Sequence, residues 1–215
     1  NIHMIGIGGI GTSALARIFN EKGHNVTGSD MESSALTKDL QNEGIKISIG
    51  HAKENLPEKC DLVIYSEAIP KENPELEEAG KRNLKTQTYF EALGELSAGY
   101  KTIAICGSHG KTTVTAMISK MLLEAGEDPT VVVGTKMEEL GNKNYRLGKS
   151  KWMVVEACEY KRSFLHLHPD IIVMTNIEYE HPDYYKDYED YKHAFEEFFA
   201  RMPENGKLIT GSKPF

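Results

Sequence analysis

Several things are scarce in this chain. Among 215 residues there are three cysteines (Cys60, Cys106 and Cys158) and a single tryptophan. The cysteines are odd in number, scattered and without Cys-x-x-Cys spacing. That argues against a disulfide framework or a thiolate metal knuckle, and reads as the reduced thiols of a cytoplasmic protein. No apolar stretch approaches the ~20 residues that a membrane-spanning helix needs. Positive charge is in deficit: 25 Lys and Arg stand against 32 Asp and Glu, a formal charge of −7. This disfavours nucleic acid and anionic membrane surfaces as main partners. The chain opens without a basic, apolar leader, so no export signal is expected. It also opens without Met, which points to a few residues upstream. Internal repeats and low-complexity segments are absent.

Glycine, by contrast, is concentrated where it carries information. Ile103, Ala104 and Ile105 form a short apolar strand, followed by Cys106-Gly107-Ser108-His109-Gly110-Lys111-Thr112-Thr113 and then an amphipathic helix. Gly107 and Gly110 allow a tight turn whose N–H groups face an anion, and the helix N-terminus adds a partial positive charge. In a phosphate loop of this kind, Lys111 reaches the β- and γ-phosphates and the Thr112 hydroxyl ligates Mg²⁺. The loop is shorter than the common form, because Ile105 stands where that form has its first glycine. Val114, Met117, Ile118, Met121, Leu122 and Ala125 recur at helical spacing and predict one buried stripe.

A second glycine loop lies at the start. Ile2–Ile7 reads as a strand, and Gly6-Ile7-Gly8-Gly9-Ile10-Gly11 turns it into a helix that Gly23 ends. Asp30 follows at the end of the next strand, where a ribose hydroxyl is held in dinucleotide sites. The loop requires only a diphosphate on a helix N-terminus, so a UDP group or NAD would satisfy it. On the NAD reading the chain is an oxidoreductase. Against that reading stand a separate triphosphate loop downstream and the lack of a candidate hydride-transfer site. Strands are also expected near Asn25–Ser29, Ile45–Ile49 and Asp61–Tyr65, with helices between them. Such alternation implies α/β architecture with parallel sheets. After a hinge near Ala98–Lys101, further strands are expected at Thr130–Val133, Trp152–Glu156, Ile171–Thr175 and Lys207–Thr210. Gly141–Ser150 reads as an exposed loop, and Tyr188–Met202 as a helix.

Glu156 ends one strand and Asn176 follows another, with Glu178, Glu180, His181 and Asp183 close behind. Open α/β sheets bind ligands at such strand ends. Mg²⁺ prefers oxygen donors, which favours Glu156 over His181 as a ligand. Tyr179, Tyr184, Tyr185, Tyr188 and Tyr191 read as packing residues rather than a stacking platform.

Taken together, these motifs resemble the Mur ligases, ATP-dependent enzymes that build the peptide of bacterial cell-wall precursors. The first loop and Gly107-Ser108-His109-Gly110-Lys111-Thr112-Thr113 are similar to the branch that joins L-alanine to UDP-N-acetylmuramate. Glu156-Ala157-x-Glu159, Ser163-Phe164-Leu165 and Thr175-Asn176-Ile177-Glu178-x-Glu180-His181-x-Asp183 match the family's acidic and Asn-to-His segments. Thr12, Ser108, Cys158, Tyr160, Glu180 and Glu67 depart from the family's usual residues. The tripeptide-recycling branch shares much of the pattern.

The resemblance implies a Rossmann-like UDP-sugar domain over residues 1–98. A P-loop ATP domain follows over residues 99–215; it is expected to be incomplete, with the family's C-terminal domain absent, so the chain alone is expected to bind without turnover. Gly8, Gly9, Ile10, Gly11, Asp30, Ser66, Ser163 and Asn176 are implied for the UDP-sugar, and residues 107–113 for ATP. Thr112, Glu156 and His181 are implied for Mg²⁺, and Lys111, Glu156 and His181 for catalysis. In the implied reaction a lactyl carboxylate becomes an acyl phosphate, which the amine of L-alanine attacks.

Overall fold

The computed structural model describes residues 1–211. The chain forms two compact units, Asn1–Ala92 and Leu93–Phe215. The first contains β1 (Ile2–Ile5), α1 (Ile10–Glu21), β2 (Val26–Asp30), α2 (Ala35–Asn42), β3 (Lys46–Ile49), β4 (Leu62–Tyr65), α3 (Pro74–Lys81) and β5 (Lys85–Thr88). Its sheet is parallel throughout, in the order β3-β2-β1-β4-β5. Every residue of the central β1 is buried, as expected of a strand covered on both faces. Helix starts are marked chemically. Ser34 and Thr37 form a reciprocal cap on α2, and Asn73 caps α3 ahead of Pro74. The edge strand β5, Lys-Thr-Gln-Thr, is missing from the sequence reading. It has no apolar pattern, and pairing with β4 rather than side-chain burial makes it a strand.

Helix α4 (Tyr89–Ser97) runs across the division between the units. The second unit continues with β6 (Lys101–Cys106), α5 (Lys111–Glu124), β7 (Thr130–Met137), β8 (Lys143–Arg146), β9 (Trp152–Glu156), β10 (Ile171–Met174), α6 (Tyr188–Phe199) and β11 (Lys207–Thr210). Strand order is β11-β10-β6-β9-β7-β8. All neighbours are parallel except β8, which runs antiparallel to β7.

Three expectations need correction here. Gly141–Ser150 is not simply an exposed loop. Gly141 and Asn142 take left-handed φ of +68° and +60°, the chain reverses, and β8 buries Asn144 and Tyr145. Polar flanks hid that hairpin. Second, α5 turns Thr115 and Ser119 fully inward, with Val114, Ile118 and Leu122 against the sheet, whereas Met117 and Met121 are 58% and 66% exposed. Small hydroxyl residues let the helix approach the sheet closely, so the methionines fall outside the stripe. Third, α6 ends at Phe199 rather than Met202: the Arg201 and Met202 amides bond three residues back, to Phe198 O and Phe199 O, and Pro203 disfavours helical backbone at Met202. Of the five tyrosines, Tyr185 and Tyr191 are buried and meet edge-to-face, while Tyr179, Tyr184 and Tyr188 are over 40% exposed. No helix among the described residues is long and apolar enough to cross a membrane.

The first unit buries a polar knot beneath its sheet. Glu75 is fully buried at the start of α3. It accepts from His3 Nε2 at 2.7 Å, Ser29 Oγ at 2.8 Å, His51 Nδ1 at 3.0 Å and Asn55 Nδ2 at 3.2 Å. An ionised carboxylate only accepts, so the imidazole nitrogens facing it carry hydrogen. Burial pushes the Glu75 carboxyl up, but these donors together outweigh it and hold the group below its ordinary value. Its ionised form therefore stabilises the fold. That contribution is complete above the ordinary glutamate value of about 4.3 and is lost as pH falls through the lowered folded value. Glu75→Ala removes the shared acceptor of four donors, of which His3 and Ser29 are buried. It should cost at least about 3 kcal/mol in urea unfolding at neutral pH, and the loss should shrink in acid.

Candidate functional site: two glycine loops at strand ends

In the second sheet β6 lies between β9 and β10, so connections leave it in opposite directions and open a crevice at its carboxyl end. Gly107, Glu156 and Asn176 all occupy that end. Gly107 has φ +126°, and a Cβ there would collide with the Thr175 hydroxyl and come within 2.7 Å of Asn176 O. Gly110, with φ +78°, caps the N-terminus of α5. Only glycine satisfies the first position, which needs left-handed backbone and a close approach at once.

The loop is laced to the segment after β10. Thr175 Oγ1 donates to His109 O at 2.7 Å, His109 N donates to Asn176 Oδ1 at 3.0 Å, and Asn176 Nδ2 returns a bond to His109 O. Ser108 is buried. Its hydroxyl donates to Glu178 O at 2.7 Å and accepts from Glu178 N at 2.8 Å. Ser108 is thus a peg for the loop. Asn176, implied by resemblance for the sugar, here clamps the peptide of His109. The exposed His109 ring stands 3.5 Å from Glu178 and 3.7 Å from Glu180.

Lys111 folds back over the loop. Its Nζ donates to Gly107 O at 2.5 Å, Ser108 O at 3.0 Å and Glu159 Oε1 at 3.2 Å. Thr112 Oγ1 donates to Glu156 Oε1 at 3.1 Å, and Gly134 N fixes the other Glu156 oxygen at 2.9 Å. Thr113 is exposed on the first turn of α5. The trio implied for a metal is divided between partners: Thr112 meets Glu156, whereas His181 Nε2 lies 3.3 Å from Glu159. Glu159, Glu180 and His181 place their ligand atoms within 4.8 Å of one another, the only such group among the described residues. Glu159 belongs to the acidic segment Glu156-Ala157-x-Glu159, but its spacing alone assigns it no role. Its signal was the third position after Glu156, legible only once the turn after β9 is known.

That turn is strained. Lys161 and Arg162 both take left-handed φ, +51° and +58°, which costs roughly 1–2 kcal/mol per residue for L side chains. Arg162 offsets this through Asp190 and Glu197 of α6, at 2.5 and 2.9 Å. Ser163 sits inside the same corner, 3% exposed, with its hydroxyl donating to Tyr160 O at 2.6 Å. Nearby, burial and the charge of Glu159 push the Cys106 and Cys158 thiols up, so both stay protonated.

The first unit repeats the strand-end logic. Sheet order reverses between β1 and β4, and there Gly6, at φ +74°, has Ser66 beside it, a Cβ–Cβ approach of 3.1 Å for an added methyl. Asp30 Oδ2 accepts from Gly8 N at 2.8 Å. Gly9 caps α1 with extended backbone, and Ile10 is 40% exposed at the first turn. Gly11 faces the Tyr89 ring, which a Cβ would strike at 2.5 Å. Thr12 Oγ1 donates to Gly6 O at 2.7 Å and closes the loop. The structure thus gathers Gly8, Gly9, Ile10, Gly11, Asp30 and Ser66 in the first unit, whereas Ser163 and Asn176 belong to the second.

Comparison with known proteins finds family matches over both halves of the chain. The Mur ligase family catalytic domain matches residues 1–101, and the Mur ligase middle domain matches residues 105–213. A UDP-N-acetylmuramate–L-alanine ligase of Clostridium botulinum is 47% identical over 98% of this chain, and the chain spans 46% of that relative, about half its length. Among solved structures, the UDP-N-acetylmuramate-alanine ligase of Thermotoga maritima is 31% identical with a TM-score of 0.84, covering 98% of this chain and 48% of its own. A ligase for UDP-N-acetylmuramate and L-alanyl-γ-D-glutamyl-meso-diaminopimelate from Neisseria meningitides is 27% identical with a TM-score of 0.90, covering 99% of this chain and 71% of its own. With the middle-domain match alone spanning half its residues, the chain belongs to the Mur ligase family.

Proposed function

We infer that this chain carries the nucleotide-sugar and ATP sites of a cytoplasmic ligase that joins L-alanine to the lactyl carboxylate of UDP-N-acetylmuramate in peptidoglycan precursor synthesis. The observation that carries the reading is the Thr112 hydroxyl, at the head of α5 next to Lys111, donating to Glu156 at the end of β9. The 47% identity to alanine ligases supports the choice of branch. The TM-score of 0.90 to the tripeptide ligase favours a recycling enzyme as the second reading. Offering the complete enzyme L-alanine or the tripeptide separates the two.

On this reading, residues 1–98 hold the UDP-sugar and residues 99–215 hold ATP. The backbone amides of residues 107–113 and the α5 N-terminus cradle the phosphates. Lys111 neutralises charge that would otherwise repel the substrate carboxylate. Thr112 and Glu156 offer hard oxygen donors suited to Mg²⁺, with His181 a further donor nearby. The ion would supply charge neutralisation at the phosphates. A carboxylate is a poor acceptor for an amine because oxide is a poor leaving group, and conversion to an acyl phosphate removes that obstacle. These residues therefore work by positioning and electrostatics.

Two expectations follow from the separate loops. Lys111→Ala should weaken ATP binding about 100-fold, the scale of a charge-assisted contact to phosphate, and leave UDP-N-acetylmuramate affinity unchanged. Calorimetric titration of each ligand reads both, and unaltered ATP affinity would refute the phosphate assignment. Asp30→Ala should do the converse, loosening the UDP-sugar about tenfold through the released Gly8 amide while ATP affinity stays the same. Tight binding of NADH to the first unit in the same assay would reject the UDP-sugar reading.

A further inference from the structure

An ammonium group has three hydrogens and no acceptor. Lys111 uses all three within the protein, on Gly107 O, Ser108 O and Glu159. None remains for a phosphate oxygen. Two of those acceptors are carbonyls of the loop and move only if the loop moves. The third is a side chain, so it is the contact that exchange would break. Glu159 is 2% exposed in its side chain. Its Oε1 is shared by Lys111 and His181, at 3.2 and 3.3 Å. Its Oε2 lies 3.1 Å from Lys111 Nζ, off any hydrogen-bond axis, and is a buried oxygen without a hydrogen bond.

The backbone holds that carboxylate in place. Glu159 O accepts from Arg162 N at 2.9 Å and from the buried Tyr185 hydroxyl. The two left-handed residues that follow, Lys161 and Arg162, bring the chain round to make the first of these bonds. A strained corner is thus maintained directly beneath a carboxylate that touches two candidate catalytic groups. Strain of this kind persists where the surrounding structure over-determines it, and it clusters at functional sites.

We propose that Glu159 is a positioning residue: it holds Lys111 against the loop until a phosphate displaces it, and His181 then remains as its partner. The proposal rests on the ATP reading above and adds an exchange step to it. Glu159 and the incoming phosphate carry the same sign of charge and compete for one ammonium group. Glu180, beside His181, adds negative charge on the same side, and departure of Lys111 leaves the His181 ring nitrogen, 3.3 Å away, as the side-chain partner of Glu159.

The test has two arms on the same chain. Without nucleotide, acylation of Lys111 by acetic anhydride, followed by mass spectrometry, reads whether the ammonium is held. Glu159→Gln should be labelled about fivefold faster than the unchanged chain, the scale of a partly buried ion pair. In the second arm, ATP is titrated into the unchanged chain, Glu159→Gln, Lys111→Ala and the double variant. Glu159→Gln should bind ATP about tenfold tighter, and the gain should vanish when Lys111 is absent. An equal gain with and without Lys111 would mean simple repulsion and overturn the exchange, as would unchanged labelling. If the unchanged chain binds no ATP, the nucleotide reading fails, and the labelling arm still decides whether Glu159 holds Lys111. Should Glu159→Gln lose its fold by circular dichroism, Glu159→Asp serves instead. It keeps the charge but withdraws it by a methylene, and should also speed labelling; no change would reject the proposal.

Discussion

The reversal of strand order around a central parallel strand is the constraint on which the rest depends. β6 is flanked by β9 on one side and β10 on the other, so helices and loops must leave its carboxyl end in opposite directions. The gap admits a glycine turn, and nothing bulkier than Gly107 fits against Thr175 and Asn176. From that steric fact come the helix N-terminus aimed at the gap, the ammonium of Lys111 folded over it and the carboxylates at neighbouring strand ends. The first unit solves the same problem at β1 and β4 with Gly6, Gly8 and Asp30.

The two loops are braced differently. The first is closed by its own neighbours, Thr12 onto Gly6 and Asp30 onto Gly8. The second is tied to a segment some seventy residues on in sequence, through Ser108, His109, Thr175 and Asn176. Lacing of that kind makes the loop's shape depend on β10 and on α6, whose Tyr191 hydroxyl also meets Ser108 at 3.1 Å. Residues that the family resemblance implies as ligand contacts serve in part as scaffold. Ser108 and Ser163 are buried with their hydroxyls bonded to backbone groups, and Asn176 bonds the loop peptide.

Polar burial in this protein follows one rule. Among the described residues, the buried carboxylates are matched by several donors or an opposing charge, because leaving them unmatched costs more than the pairing gains. Glu75 has four donors under the first sheet, and the half-buried Arg162 has two carboxylates beside α6. Glu159 is matched by Lys111 and His181 but retains one oxygen without a hydrogen bond. Among the described residues, the buried carboxylate that has an oxygen without a hydrogen bond therefore lies beside the phosphate loop.

Much of this was legible in one dimension. Short apolar runs followed by Gly-x-Gly or Gly-x-x-Gly-Lys-Thr determine parallel strands turning into helices, since backbone sterics and helix-end electrostatics act over a few residues. The same local logic set Asp30 and Glu156 at strand ends and Lys111 and Thr112 at a helix start, where the structure has them. The polar strands β5 and β8 were not legible, because their sequences carry no apolar run and pairing with β4 and β7 made them strands. Nor was the inward face of α5, where close packing selected Thr115 and Ser119 over Met117 and Met121. Above all, the sequence could place Glu159 near Glu156 but could not say which cation it meets. That was decided by the left-handed corner at Lys161 and Arg162 and by α6 behind it, because direction in space is set by contacts between residues far apart in the chain.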